Sequence, residues 1–160
     1  MSAVLDDHST PTTRVGARTT AVLTPVLVVA VVVNLTVHAL GRAAGADFTV
    51  RTPSADQPQV VGWVSVLVMS IVPVLIGSLL LWATRRSPRA WVVLAWVGLV
   101  VGVLSVGMPV LATATTGTKL ALATMHLLPA VTWWVCVRRE LDRADRVRRA
   151  VVIPASRRPR

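Results

Sequence analysis

The chain has 160 residues, of which 54% are hydrophobic and only 15% are charged. Soluble domains average about 25% charged residues, so this composition argues against a soluble fold and predicts lipid as the solvent. The formal net charge is +10, but the arginines fall between and after apolar runs, where they indicate membrane orientation and not nucleic-acid binding. The single cysteine, Cys136, excludes an internal disulfide and any CxxC motif.

The first 18 residues are polar and lack periodicity, which predicts a disordered cytoplasmic tail at residues 1–18. Four continuous apolar runs follow, each near the length of about 20 residues that a helix needs to cross a bilayer. The alternation and shorter segments of a transmembrane barrel are missing from these runs. The sequence therefore predicts an all-α fold, a transmembrane antiparallel four-helix bundle at residues 19–137, with spans at about 21–40, 61–84, 90–112 and 120–137.

The first run could also be read as a signal peptide, because Ala44, Gly45 and Ala46 follow it as a cleavage-like site. The apolar region of a signal peptide is only about 7–15 residues long. This run is longer and contains Asn34 and His38, so we expect an anchor that stays in the protein.

Orientation is predicted from the placement of lysine and arginine. One side would carry the N-terminal tail, the RRSPR connection at residues 85–89 and the basic tail at residues 138–160; the other would carry only Arg42, Arg51 and Lys119. The positive-inside rule then places both termini in the cytoplasm. The predicted location of the protein is a bacterial plasma membrane. The tail is expected to extend the fourth helix or to lie on anionic lipid headgroups.

The connection between the first two spans, residues 41–60, is the one predicted extracytoplasmic segment long enough to hold structure. Its DFTVRT stretch alternates as a short strand does, and TPSADQP is typical of turns. We interpret it as a short structured loop covering the bundle, with a ligand or partner surface as the alternative.

Tryptophans mark the expected membrane boundaries. The prediction puts Trp63 at the outer interface, Trp96 between helices, and four others at the inner interface: Trp82, Trp91, Trp133 and Trp134.

Small residues predict the faces through which the helices pack, because helices in lipid associate by close approach. These residues are Gly98, Gly102 and Ser105 in the third span, Ser70, Pro73 and Gly77 in the second, and Ala123, Pro129 and Ala130 in the fourth. They predict one compact bundle, and any surplus face would serve a dimer.

Three polar residues inside the spans form a candidate intramembrane site: Asn34, His38 and His126. At about 1.5 Å per residue, Asn34 and His126 lie at similar depth, which favours a hydrogen bond that clamps the first helix to the last. An outer-leaflet polar pocket is the functional alternative. Haem or metal ligation is less favoured, because the two histidines differ in depth by about 7 Å.

The four spans, the VGW at residues 61–63 and the TKLALATMHL at residues 118–127 together resemble an uncharacterised family of small actinobacterial four-helix membrane proteins, over about residues 18–137. The resemblance implies an integral membrane protein without an assigned activity. It also implies that Asn34, Thr118 and His126 belong to the family pattern.

The sequence thus favours a non-enzymatic interaction or structural component of the membrane, working as a homo-oligomer or with a membrane-protein partner. No catalytic residue, metal site, cofactor or nucleic-acid partner is predicted. The alternative is a small permease or ligand-binding protein that uses a pocket around Asn34, His38 and His126.

Overall fold

The computed structural model describes residues 11–51 and 57–152, with side chains for 19–51 and 57–150. The elements, in chain order, are α1 (Pro11–Ala43), β1 (Thr49–Val50), β2 (Gln59–Val60), α2 (Trp63–Ala83), α3 (Pro88–Ser105), α4 (Gly107–Leu111) and α5 (Thr116–Val152). Four helical segments are long and apolar enough to cross a membrane, Thr19–Ala43, Trp63–Ala83, Pro88–Leu111 and Thr116–Ala150. The predicted all-α membrane fold is confirmed.

The terminal helices run further than the predicted spans. Since α1 begins at Pro11, the prediction of a disordered tail is wrong for residues 11–18, and residues 1–10 lie outside the described part of the chain. Proline suits the first turn of a helix because its missing N–H would have no helical partner there. At the other end α5 continues to Val152, so residues 138–152 of the basic segment extend the fourth span as a helix, and residues 153–160 lie outside the described part of the chain.

A tight turn joins α2 to α3. The helix α2 ends at Ala83, and the Thr84 N–H donates to the Leu80 carbonyl. Ser87 caps α3 by accepting a hydrogen bond from the Ala90 N–H at 3.3 Å, and Pro88 occupies the first helical turn. We call this end of the bundle the turn end.

The third span is broken, whereas the second and fourth continue past their prolines. α3 stops at Ser105, and α4 begins at Gly107 with Pro109 inside it. Pro109 cannot donate to the Ser105 carbonyl, and Gly107 adds backbone freedom at the same place. Pro73 and Pro129 lie within unbroken helices.

The segment between α1 and α2 contains the predicted short strand. β1 pairs antiparallel with β2, with Thr49 opposite Val60. Arg51 and Thr113 exchange two backbone hydrogen bonds of 3.1 and 3.0 Å, which tie this segment to the connection between α4 and α5. We call this end of the bundle the loop end.

The long helices pack in a definite order. α1 lies against α2 and α5, α5 lies against α3, and α2 and α3 touch far less. Two buried apolar clusters hold them. The cluster at the turn end consists of Val22, Val26, Ala30, Val74, Leu81, Trp91, Ala95, Trp133 and Val137. The cluster at the loop end consists of Ala46, Phe48, Val66, Ala121 and Met125.

The surface of the bundle is apolar. Large hydrophobic side chains are exposed along every long helix, among them Val32, Met69, Leu79, Leu104 and Leu127. In water such a continuous apolar surface would drive association, but in a bilayer it faces lipid tails.

Candidate functional site

Phe48 closes the loop end of the bundle. It adopts a left-handed backbone conformation with φ of 53°, and its side chain is fully buried. A Cβ placed on Gly41 of α1 would lie 2.8 Å from the Phe48 ring, so glycine is what allows this approach. The Phe48 N–H donates to the Thr118 hydroxyl at 3.2 Å, and its carbonyl accepts the Val61 N–H at 2.9 Å. One aromatic residue therefore fastens the loop to α1, to α5 and to the start of α2.

Thr118 is the polar centre of this closure. Its hydroxyl is fully buried, donates to a carboxylate oxygen of Asp47 at 3.1 Å, and accepts from Phe48 and from the Thr115 hydroxyl at 2.9 Å. A hydroxyl has one donor and two acceptor positions, and all three are used here. The resemblance singled out Thr118 as a family residue, and its bonds give a structural reason for a threonine at this position.

Asp47 lies at the N-terminus of α5. Its Oδ1 accepts hydrogen bonds from the Thr49 N–H at 3.3 Å and from the Thr118 hydroxyl at 3.1 Å. The Thr115 hydroxyl, which donates to Thr118, lies 3.5 Å from the same oxygen. The Thr49 hydrogen bond, supported by those threonines, holds the pKa of Asp47 below the ordinary 3.8, and partial desolvation opposes this shift. A helix N-terminus also favours negative charge, so the ionised carboxylate fits this position.

His38, the first of the predicted polar residues, belongs to the same closure. Its Nε2 lies 3.0 Å from the Val61 carbonyl oxygen, which requires the N–H on Nε2. Its ring centroid lies 4.5 Å from that of Phe48. The half-buried ring therefore packs beneath the loop and bonds to backbone.

Asn34 joins α1 to α2. Its Nδ2 donates to the Ser70 hydroxyl at 2.9 Å, and that hydroxyl donates to the Val66 carbonyl at 2.7 Å. Both side chains are buried, and the Asn34 Oδ1 has no hydrogen-bond partner among the described residues.

His126 has a different neighbourhood. Its Nδ1 lies 2.6 Å from the Leu122 carbonyl, one turn earlier in α5. The predicted hydrogen bond between Asn34 and His126 is therefore wrong: Asn34 is bonded to α2 and His126 to its own helix. Depth along a helix, on which the prediction relied, does not determine the side on which a residue lies.

The small residues surround a tryptophan that the sequence placed elsewhere. Trp133 is 8% exposed, and its Nε1 donates to the Leu94 carbonyl at 3.0 Å. A Cβ on Gly77 would come within 2.8 Å of its ring, and a Cβ on Gly98 would overlap it. Trp133 therefore fills the space between α2 and α3, whereas the sequence predicted a position at the membrane interface.

Two other tryptophans also make contacts between helices. Trp91 lies at the turn end but is buried, with its Nε1 donating to the Leu81 carbonyl at 3.1 Å. Trp96, expected between helices, contacts Trp134 of α5 with ring centroids 5.5 Å apart and is about half exposed.

The remaining small residues divide into contact and surface positions. A Cβ on Gly102 would overlap that of Ala130 and lie 3.4 Å from the His126 carbonyl oxygen, so α3 and α5 approach closely there. Ser70 is buried, and Ser105, Ala123 and Pro129 are half-buried. The Ser105 hydroxyl donates to the Val101 carbonyl at 2.7 Å. Pro73 is exposed, so any packing through this residue would be with lipid or another chain.

These features define the class. Four apolar helices of spanning length make this a multi-pass helical membrane protein. The chain belongs to DUF6069, a family of unknown function, whose model matches residues 11–143. The match confirms the resemblance to an uncharacterised membrane-protein family and extends it at both ends. No curated protein and no solved structure matches the chain.

Proposed function

We propose that this protein is a non-enzymatic component of the bacterial plasma membrane that acts by helix-to-helix interaction with a second copy of itself. The observation that carries the proposal is the internal use of its polar residues. Asn34 bonds to Ser70, His126 to Leu122 and His38 to Val61. Polar groups committed to such bonds serve packing, whereas a transport path needs polar groups that face a cavity.

The third span supplies the interaction surface. Val93, Val97, Val100 and Leu104 of α3 are between 48% and 70% exposed. Their spacing places them on one helical face. α3 is held chiefly by α5 and touches α2 far less, so this face is the least covered by the rest of the bundle.

Energy transfer between differently labelled copies in liposomes tests the proposal. We expect transfer that persists on moderate dilution with lipid and falls by at least about half in V100W, because overpacking disrupts a close helix contact. V68W on α2, where Val68 is similarly exposed, is the matched control and should leave transfer unchanged. Transfer no higher than that between unrelated membrane proteins would contradict the proposal.

The proposed orientation is antiparallel, with both termini and the turn end in the cytoplasm. Support comes from charge: Arg85, Arg86 and Arg89 flank the turn, whereas Arg42, Arg51 and Lys119 belong to the loop end. The exposed arginines of the α5 extension would then reach anionic headgroups, with each contributing about 1 kcal/mol. Reporter fusions at the two termini should both be active in the cytoplasm, and opposite compartments would overturn this orientation.

A small permease or ligand-binding protein remains the second candidate. The buried, unpartnered Oδ1 of Asn34 favours it, because such an oxygen can accept a hydrogen bond from water or a ligand. Substituting His126 with leucine separates the two functions. A packing role predicts a small loss of stability, whereas a binding role predicts lost ligand uptake by cells with stability kept.

A further inference from the structure

A cationic recess lies at the turn end, apart from the polar residues discussed above. It has a volume of about 230 Å³ and is lined by Trp82, Ala83, Arg85 and Arg86. The Arg85 guanidinium carbon lies 4.9 Å from the Trp82 ring centroid. A guanidinium over an indole face is a favourable contact that orders the arginine.

Neither arginine of this recess forms an ion pair among the described residues. No aspartate or glutamate occurs anywhere between Asp56 and Glu140 in the sequence. Within the described residues, the ion pair found is between Arg143 and Glu140 on α5, at 3.7 Å. Arg85 and Arg86 thus present guanidinium N–H groups without a carboxylate, and phosphate oxygens match such groups in a two-pronged geometry.

An apolar stripe leads along α2 to the recess. Leu75, Leu79 and Trp82 are 48%, 62% and 50% exposed. Their spacings of four and three residues place them on one helical face. A free phosphate ion would use only the arginines, whereas a lipid would also lay an acyl chain along this stripe.

We propose that the recess formed by Trp82, Arg85 and Arg86 binds the phosphate headgroup of an anionic phospholipid whose acyl chain lies along Leu75 and Leu79. Tryptophan marks the depth at which headgroups meet the apolar region, so the arginines sit at the level of lipid phosphates. This site concerns a bound lipid and does not depend on self-association through α3.

Native mass spectrometry of the protein released from micelles measures retained lipid directly. With phosphatidylglycerol added, we expect the wild type to keep one lipid in preference to phosphatidylcholine. R85Q/R86Q should lower this occupancy about tenfold, because two headgroup contacts are removed. R85K/R86K keeps the charge but loses the paired N–H geometry, so its lipid occupancy should lie between that of the wild type and that of R85Q/R86Q.

Two controls separate a defined site from general attraction. R146Q/R149Q removes the same charge from exposed positions on α5 and should leave occupancy within about twofold of the wild type. W82L should weaken retention several-fold, while W63L at the loop end should not. Equal losses in R85Q/R86Q and R146Q/R149Q would overturn the site in favour of diffuse charge. Unchanged retention in R85Q/R86Q, or displacement of the lipid by millimolar inorganic phosphate, would overturn it as well.

Discussion

Asn34 of α1 donates a hydrogen bond to Ser70 of α2, and this bond satisfies the polar atoms of Ser70 more completely than those of Asn34. Ser70 uses its donor on Val66 and its acceptor on Asn34, whereas the Asn34 Oδ1 stays buried without a partner among the described residues. Removing the Ser70 side chain and removing the Asn34 side chain should therefore change the stability of the protein by different amounts. A buried polar group left unpaired costs more than a lost hydrogen bond.

We expect S70A to destabilise the protein by about 1–3 kcal/mol, because the Asn34 amide then loses the one partner it has among the described residues. N34L should stay within about 0.6 kcal/mol of the wild type, because it removes a modest membrane hydrogen bond and an unpaired oxygen together. The double variant should recover most of the S70A loss. Unfolding in mixed micelles measures all three, and N34L proving the more damaging variant would contradict this account.

Gly102 allows α3 and α5 to approach each other closely. G102A should lower stability by about 1–3 kcal/mol, because the new methyl group overlaps Ala130. G107A is the control, since nothing lies within 4 Å of a Cβ there. The thermal midpoint in detergent should fall for G102A and not for G107A. Equal midpoints would mean that α3 and α5 can move apart to accept the methyl group without a loss of stability.

A substitution at Gly98 tests the packing site of the Trp133 ring in the same way. G98A should displace the indole ring and break its hydrogen bond to the Leu94 carbonyl. The expected signs are a shift in tryptophan emission and a loss of about 1–3 kcal/mol. W133F should keep much of the packing but lose the hydrogen bond, so its loss should be the smaller of the two.

Phe48 should control how tightly the loop covers the bundle. F48A removes a fully buried ring and should cost about 3–5 kcal/mol at this end of the protein. Amide hydrogen exchange should accelerate in residues 46–50 and 59–62 while the turn-end core stays protected. V60A, which truncates an exposed residue of β2, serves as the control and should leave exchange unchanged.

Asp47 should give the loop closure a dependence on pH. Its pKa is lowered in the folded protein, so the ionised form contributes stability above about pH 4, and this contribution is lost as the pH falls through the folded value. The wild type should therefore lose more stability between about pH 6 and about pH 3 than D47N does, because asparagine does not titrate there. Identical pH profiles would show that the carboxylate is not engaged.

The sequence alone determined the class of this protein. Four long apolar runs leave few alternatives, because backbone groups in lipid must be satisfied within each segment. The resemblance to a membrane-protein family rested on VGW and TKLALATMHL, and the family match over residues 11–143 agrees with it. The short strand at Thr49–Val50 was also readable, because alternation is a local signal. The turns predicted for TPSADQP fall mostly on residues 52–56, which lie outside the described part of the chain.

Only the tertiary structure decided which residues meet. Depth along a helix follows from residue number, so Asn34 and His126 could be placed at one level. The side on which each residue lies depends on how the helices are arranged around one another, and this arrangement put Ser70 beside Asn34. The same reason explains Trp133. Its residue type and its place near the end of a span suggested the membrane interface, but glycines on two other helices leave a space between those helices that its ring fills.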